Sequence, residues 1–176
     1  MYHVASQHAV WFVKEGGNDV YTVADQLNHK LNNVQRIKID PYNHFTINCF
    51  YEDLYGNVWI GFEQGLYMRI PNGKVSLISN KIANIISLSG DNKGNIWVGT
   101  ERQGAFLVRF DKSRQSLAGI DNFSEKAGNL QSNSIQTVCC GKSGNVYLGS
   151  REGSIYQYTP STGNIVDISY KYGITE

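Results

Sequence analysis

A seven-residue pattern that recurs three times in phase constrains the fold of this chain more than any other feature. It reads GNVWIGF at residues 56–62, GNIWVGT at 94–100 and GNVYLGS at 144–150. Each copy follows an isoleucine at a matched distance and precedes a short polar turn that ends in glycine. The aromatic positions of these copies and of a weaker first copy lie 48, 38 and 50 residues apart, at Trp11, Trp59, Trp97 and Tyr147. Repeats of about 40–50 residues are typical of β-propeller blades, among other arrays.

The local pattern within one repeat favours strands over helices. Residues 95–100 are rich in β-branched and aromatic side chains and bounded by glycines, and no stretch of 11 or more residues has a helical apolar stripe. In the copy that contains Trp97, which is the third when the weaker first copy is counted, we predict strands at 85–90, 96–99 and 105–110. A hairpin turn is predicted at 91–94, and a more variable outer strand follows. The predicted fold is therefore all-β, with propeller blades of four antiparallel strands.

The repeat spacing divides the chain into about four blades, at residues 1–43, 44–81, 82–131 and 132–176. Propellers typically have 4 to 8 blades. The first copy starts within its first strand, and the last residues have the character of a link into a further blade. We therefore expect an arc of a larger propeller, completed by the remaining blades or by a second copy of the chain, and keep a small four-bladed ring as the alternative.

Two kinds of residue in the repeat are expected to be structural. A glycine inside a strand marks close approach of backbones, so Gly61 and Gly99 predict tight contact between blades. The aromatic residues Trp59, Trp97 and Tyr147 are expected to fill the space between neighbouring sheets rather than to stack on a ligand.

Composition excludes several classes of function. The formal net charge is +1, without the basic surface that nucleic-acid binding requires. No apolar run approaches the roughly 20 residues that cross a bilayer, and residues 1–4 lack a secretory pattern, so an export signal of the parent protein would lie outside this chain. Cys49, Cys139 and Cys140 are interpreted as small buried hydrophobic residues, with a redox pair between Cys49 and either of the others left open.

The repeat resembles the two-component regulator propeller repeat (Reg_prop). Residues 91–100 match its outline of Asp, a Gly-Asn turn and Ile-Trp-Ile-Gly-Thr, and residues 53–61 nearly so. Residues 129–135 are similar to the linker between its blades, and the resemblance covers roughly residues 44–160. The chain departs from the pattern at Phe62, Tyr147 and Gly141.

This resemblance implies the periplasmic or extracytoplasmic sensor region of a membrane histidine kinase, often a hybrid kinase and regulator. Such sensors commonly detect oligosaccharides, and ligand contact would shift domain or dimer geometry without breaking a bond. On this interpretation the segment is not an enzyme and needs no cofactor. Two alternatives stay open, a protein-interaction propeller without a small ligand and, as a minor one, a carbohydrate-active hydrolase or lyase.

The residues themselves give weak catalytic and metal signals. The four histidines, His3, His8, His29 and His44, show no metal spacing, and no nucleophile or phosphate-loop motif is present. Residues 91–95 begin like a calcium loop, but Arg102 stands where the loop needs a glutamate. We therefore predict neither a catalytic nor a metal site.

One face of the propeller is expected to carry any binding site. The turn after the second strand and the link between blades emerge on the same side. Polar side chains there suit the hydroxyl groups of a sugar, while tyrosine or histidine can pack on its ring faces. The predicted ligand-binding residues are Tyr42, His44, Glu63, Gln64, Arg102, Gln103, Arg151 and Glu152. Further polar link residues are Asn80, Asn84, Gln131 and Asn133, and an anionic sugar would favour Arg102 and Arg151.

Overall fold

The structure, a computed structural model, describes the backbone of residues 2–5, 9–13, 20–24, 34–37, 46–111, 113 and 116–173. Side chains are described for residues 46–111, 113 and 116–171. The described chain forms four four-stranded antiparallel sheets and one short 3-10 helix, η1 (Tyr170–Tyr172). The all-β prediction is confirmed.

Each sheet is a meander whose strands follow one another in sequence. Blade 1 consists of β1 (Tyr2–Ala5), β2 (Ala9–Val13), β3 (Val20–Ala24) and β4 (Val34–Ile37). Blade 2 consists of β5 (Ile47–Glu52), β6 (Val58–Phe62), β7 (Gly65–Arg69) and β8 (Val75–Ser79). Blade 3 consists of β9 (Ile85–Gly90), β10 (Ile96–Thr100), β11 (Ala105–Asp111) and β12 (Ser116–Phe123). Blade 4 consists of β13 (Ile135–Cys140), β14 (Val146–Ser150), β15 (Ile155–Thr159) and β16 (Asn164–Asp167). The strands predicted for blade 3 agree with β9, β10 and β11 to within one residue, whereas the limits proposed for the whole blades stay a prediction.

The hairpin between the first two strands of a blade repeats with the same backbone. Gly56, Gly94 and Gly144 take positive φ angles of 73°, 80° and 87°, which residues other than glycine seldom adopt. In each turn the residue three positions before the glycine donates its N–H to the backbone carbonyl of the asparagine that follows the glycine, at 2.8–2.9 Å. The Gly-Asn pair of the repeat is therefore the element that turns the chain into the second strand.

The four sheets stack with their first strands side by side. Along the axis β1 lies beside β5, β5 beside β9, and β9 beside β13. One apolar layer joins blades 2 and 3, and a second joins blades 3 and 4. Among the described strands no sheet packs on the outer side of blade 4, so the blades form an open arc and not a closed ring.

The strand glycines lie where neighbouring blades approach most closely. A Cβ atom on Gly61 would lie 2.5 Å from Cγ2 of Ile85 in the next blade. A Cβ atom on Gly99 would lie 2.8 Å from the backbone oxygen of Ile135. Both distances are shorter than real Cβ contacts, so the predicted close approach at Gly61 and Gly99 is confirmed.

The aromatic residues fill the layers between blades. Trp59 is 1% exposed and meets Phe110 edge to face, with ring centroids 5.4 Å apart. Trp97 is fully buried and packs against Phe123 at 5.3 Å and Tyr158 at 4.7 Å. Both tryptophans are core residues, as predicted.

The three cysteines are free thiols. Cys49 lies on β5, whereas Cys139 and Cys140 lie on β13, with β9 between these two strands. The structure therefore shows no redox pair. The prediction of three buried cysteines was wrong for Cys139, because alternation along β13 directs its side chain outward while that of Val138 is buried.

Candidate functional site

A cleft of about 400 Å³ opens at the end of the arc where the inner strands β5, β9 and β13 begin. Its walls come from blades 2, 3 and 4, and six of the seven described lining residues have polar or charged side chains. The lining residues are Thr46, Asn48, Glu63, Asn84, Ile86, Glu101 and Gln136.

These residues come from three positions of the repeat. The residue before the inner strand supplies Thr46 and Asn84. The second residue of the inner strand supplies Asn48, Ile86 and Gln136. The residue after the second strand supplies Glu63 and Glu101. The cleft is therefore built by superposable positions of adjacent blades.

A repeated backbone hydrogen bond holds the turn of each blade against the start of its own inner strand. The N–H of Glu63 donates to the carbonyl of Thr46 at 3.4 Å, and that of Glu101 donates to Asn84 at 3.0 Å. The third instance joins Arg151 to Ser134 at 2.9 Å. Because these bonds fix the backbone, both glutamates leave the turn from the same place in adjacent blades.

Asn84 joins two blades at the cleft. Its φ of +49° is left-handed, a conformation that asparagine tolerates better than most residues. The Asn84 N–H donates to the carbonyl of Glu63 in the preceding blade at 2.7 Å. The link between blades 2 and 3 is thereby fixed in the wall of the cleft.

The charge of the lining is negative. Glu63 and Glu101 contribute two carboxylates, and none of the described lining residues is basic. The Nε of Arg102 lies 3.8 Å from a carboxylate oxygen of Glu101, but the Arg102 side chain is 79% exposed and the pair is a weak surface contact. The local surface therefore offers more acceptors than donors.

Of the predicted ligand-binding residues, Glu63 lines the cleft. Gln64, Arg102 and Arg151 lie on the same turns but outside the lining and are exposed. Tyr42 and His44 lie outside the described residues. The ligand contacts predicted for this set remain predictions.

Gln103 and Glu152 hold the link that precedes their own blade. Oε1 of Gln103 accepts the N–H of Ala83 at 2.7 Å, and Nε2 donates to the carbonyl of Lys81 at 3.2 Å. The carboxylate of Glu152 accepts the hydroxyl of Ser132, and this bond lowers the pKa of Glu152. Both side chains thus have a structural role that the turn pattern alone did not indicate.

Of the polar link residues, Asn84 lines the cleft, while Asn80, Gln131 and Asn133 do not. Asn133 instead bonds to Glu125, accepting its N–H with Oδ1 and donating its own N–H to the Glu125 carboxylate.

Five lining residues were missed by the sequence analysis, three on inner strands and two at the link and turn positions where binding residues were expected. They are Thr46, Asn48, Ile86, Glu101 and Gln136. A partial signal was available, because alternation from the buried isoleucine that opens each inner strand predicts the next side chain on the opposite side. In blades 2, 3 and 4 this second residue has no partner on the second strand, because a β-bulge shifts the register at that point, so the bulge and not strict alternation sets the direction of its side chain.

The described residues hold no group of three histidine, cysteine, aspartate or glutamate side chains that could bind a metal ion. In the same part of the chain, no helix has the length and apolar character needed to span a membrane.

Residues 76–102 match the family described as "Two component regulator propeller". This segment contains strand β10 and three residues of the cleft lining: Asn84, Ile86 and Glu101. A search of curated proteins found no match.

Solved structures share the fold at low sequence identity. The extracellular domain of BT4673 from B. thetaiotaomicron, named as a one component system, aligns with a TM-score of 0.65 and 21% identity over 94% of this chain and 21% of that chain. The extracellular domain of BT3049 from the same organism, named as a hybrid two component system, aligns with a TM-score of 0.61 and 15% identity. This alignment covers 94% of this chain and 27% of that chain. Virginiamycin B lyase from Staphylococcus aureus aligns with a TM-score of 0.71 and 15% identity, over 93% of this chain and 53% of that chain.

The chain thus spans about half of the lyase and about a fifth to a quarter of the two extracellular domains. At these identities the likeness concerns the fold alone. Together with the family match, it confirms the resemblance seen in the sequence: the chain is a run of β-propeller blades that carries a two component regulator propeller repeat.

Proposed function

We propose that this chain is part of an extracytoplasmic sensor of a two-component system, and that it binds an oligosaccharide in the cleft between blades 2, 3 and 4. The observation that carries the proposal is the overlap of the cleft with the matched repeat. Asn84, Ile86 and Glu101 all belong to residues 76–102. The extracellular domains among the structural neighbours support the extracytoplasmic location.

The lining suits a sugar on chemical grounds. The amides of Asn48 and Gln136 both donate and accept hydrogen bonds, and the carboxylates accept pairs of hydroxyl groups. Ile86 offers an apolar surface to the C–H face of a ring. In small-molecule sites, a few placed polar groups of this kind fix the orientation of the ligand.

Signalling would follow from the position of the cleft between blades. A ligand that contacts three blades stabilises one arrangement of the arc over others, and this preference would be passed on to a histidine kinase. The proposal requires no bond-breaking step in this segment.

Glycan binding by the purified chain tests the proposal. We expect at least one oligosaccharide of a broad glycan library to raise the melting temperature and to bind in a calorimetric titration. Asn48→Ala should weaken that binding about tenfold or more, since it removes an amide from the wall. The matched control is Asn164→Ala, an exposed asparagine on the outer strand β16, which should leave binding unchanged.

Two outcomes would contradict the proposal. If no glycan binds, an oligosaccharide is not the ligand of this chain. If a glycan binds and Asn48→Ala does not weaken the binding, the ligand lies outside the cleft.

A protein-interaction propeller is the second candidate, because a different observation favours it. Leu54 and Tyr55 are 72% and 60% exposed at the β5–β6 turn, at the opposite end of the strands from the cleft. Exposed apolar side chains at a turn tip suit contact with another protein. If a Leu54→Ser, Tyr55→Ser double variant loses signalling in the parent protein while glycan binding persists, this second role is supported.

A further inference from the structure

We propose that the cleft selects uncharged, hydroxyl-rich saccharides and rejects saccharides that carry carboxylate, sulfate or phosphate groups. This inference rests on the proposed function and narrows its ligand class. The sequence analysis assigned Arg102 and Arg151 as the contacts that an anionic sugar would favour, but neither residue lines the cleft.

The two carboxylates of the lining extend from backbone positions that hydrogen bonds hold in place. Glu63 and Glu101 occupy the same position in adjacent blades, and the N–H of each is bonded to the carbonyl that precedes the inner strand. The Asn84 N–H, bonded to the carbonyl of Glu63, ties the two positions to each other. An anionic ligand in the cleft therefore meets two carboxylates that extend from linked backbone positions in adjacent blades.

Positive charge nearby offsets little of this repulsion. Arg102 lies beside Glu101, outside the lining, and its side chain is mostly in solvent. Among the described residues the carboxylate of Glu63 has no ion-pair partner. Arg151, at the equivalent position of blade 4, is exposed and also outside the lining. The described lining of the cleft therefore carries a net negative charge.

Hydrogen-bond chemistry favours the same ligand class. An ionised carboxylate only accepts hydrogen bonds, so it needs a donor from the ligand. A sugar hydroxyl supplies one, whereas a carboxylate or sulfate group of the ligand supplies none. Two of the lining side chains thus pair with hydroxyl groups and leave an anionic group both unpaired and repelled.

Variants of the two glutamates test the selection. A glycan array that contains neutral oligosaccharides, oligogalacturonates and sulfated oligosaccharides would be probed with the full chain and with a Glu63→Gln, Glu101→Gln double variant. We expect the unaltered chain to bind neutral glycans only. The double variant should lose several-fold in affinity for neutral glycans, because two carboxylate acceptors are gone, and gain about tenfold or more in affinity for anionic ones, because glutamine removes the charge and adds donors.

Glu125→Gln is the matched control. Glu125 is an exposed glutamate outside the lining whose Oε1 accepts the N–H of Asn133, a bond that glutamine can also accept. The Glu125→Gln substitution changes the net charge by the same amount as each substitution of the double variant. An effect of overall charge on glycan binding would therefore appear in this variant as well. We expect its glycan profile to match that of the unaltered chain.

The failure of this inference and that of the proposed function give different results. Binding of oligogalacturonate or sulfated glycans by the unaltered chain, at affinities equal to those of neutral glycans, would overturn the selection and leave the sensor proposal intact. An unchanged profile in the double variant would also overturn it. Binding of no glycan at all would overturn the proposed function and this inference with it.

Discussion

Blades 2 and 4 carry the same repeat, yet its residues make different contacts in the two. In blade 2, Trp59 is 1% exposed and Gly61 lies against Ile85 of the next blade. In blade 4 the equivalent Tyr147 is half-buried, and among the described residues a Cβ atom on Gly149 would meet only Thr137 of its own sheet. The tryptophan and the glycine of the repeat are therefore interface residues, whose value depends on a blade packed against them.

The hairpin turns of the two blades differ in a second way. Asp53, which is 7% exposed, accepts four hydrogen bonds with its carboxylate, from the backbone and side chain of Asn57, the backbone of Tyr55 and the indole of Trp59. Blade 4 has Gly141 in place of the aspartate, yet keeps the backbone bonds of the turn at 2.8–2.9 Å. The glycine at positive φ thus forms the turn, and the aspartate ties the turn to the aromatic core.

The largest difference is expected for alanine at the strand glycines. In Gly61→Ala the new Cβ would lie 2.5 Å from Ile85 and 2.6 Å from the sulfur of Cys49, so two packed blades must separate. We expect a loss of about 3 kcal/mol in the free energy of unfolding, at the upper end for overpacked cores. Gly149→Ala should cost less than about 1 kcal/mol, because Thr137 is exposed and can rotate away. Urea denaturation of the two variants measures both values, and equal losses would show that blade 4 is packed on its outer side.

A reciprocal exchange at the turn is expected to have a smaller effect. Asp53→Ala leaves the indole N–H of Trp59 and the amide of Asn57 without their acceptor, and should cost about 2 kcal/mol. Gly141→Asp should instead add about 0.5 kcal/mol, since its carboxylate can accept the N–H of Asn145 as Asp91 accepts that of Asn95. The same denaturation experiment applies. Destabilisation by Gly141→Asp would mean that its contacts at 3.3–3.4 Å with Tyr147 and Asn145 outweigh the new bonds.

Much of this comparison was accessible from the sequence. The pattern of the repeat located the strands of blade 3 to within one residue. The aromatic position of its Gly-Asn-x-aromatic pattern identified Trp59 and Trp97 as core residues. Both depend on short-range rules, the alternation along a strand and the conformational needs of a turn. These rules hold in any blade, so each copy of the repeat supports the others.

The cleft was predicted less completely because its residues meet only in three dimensions. Asn48 and Gln136 are 88 positions apart in the chain and share a wall through the stacking of β5, β9 and β13. Gln103 has the same polar character as a ligand-binding residue, but its amide is used by the backbone of Lys81 and Ala83. Sequence indicates that a turn is polar, and only the fold shows whether its side chains face a ligand or a neighbouring loop.

Thiol reactivity probes the outer face of blade 4 without altering its stability. Burial raises the pKa of the Cys49 thiol to about 12 and that of Cys140 to about 11, so both remain protonated at pH 8. Cys139 lies opposite Tyr147 in the sheet and is exposed. Since the thiolate is the reactive form and access is required, we expect an aromatic disulfide reagent at pH 8 to modify one thiol per folded chain, and Cys139→Ser to abolish that reaction. These two partly buried thiols should react only as the pH rises toward their raised pKa values or as the chain unfolds. Protection of Cys139 in the unaltered chain would show that a further blade or a second copy covers this face in solution, and blades 2 and 4 would then be equivalent.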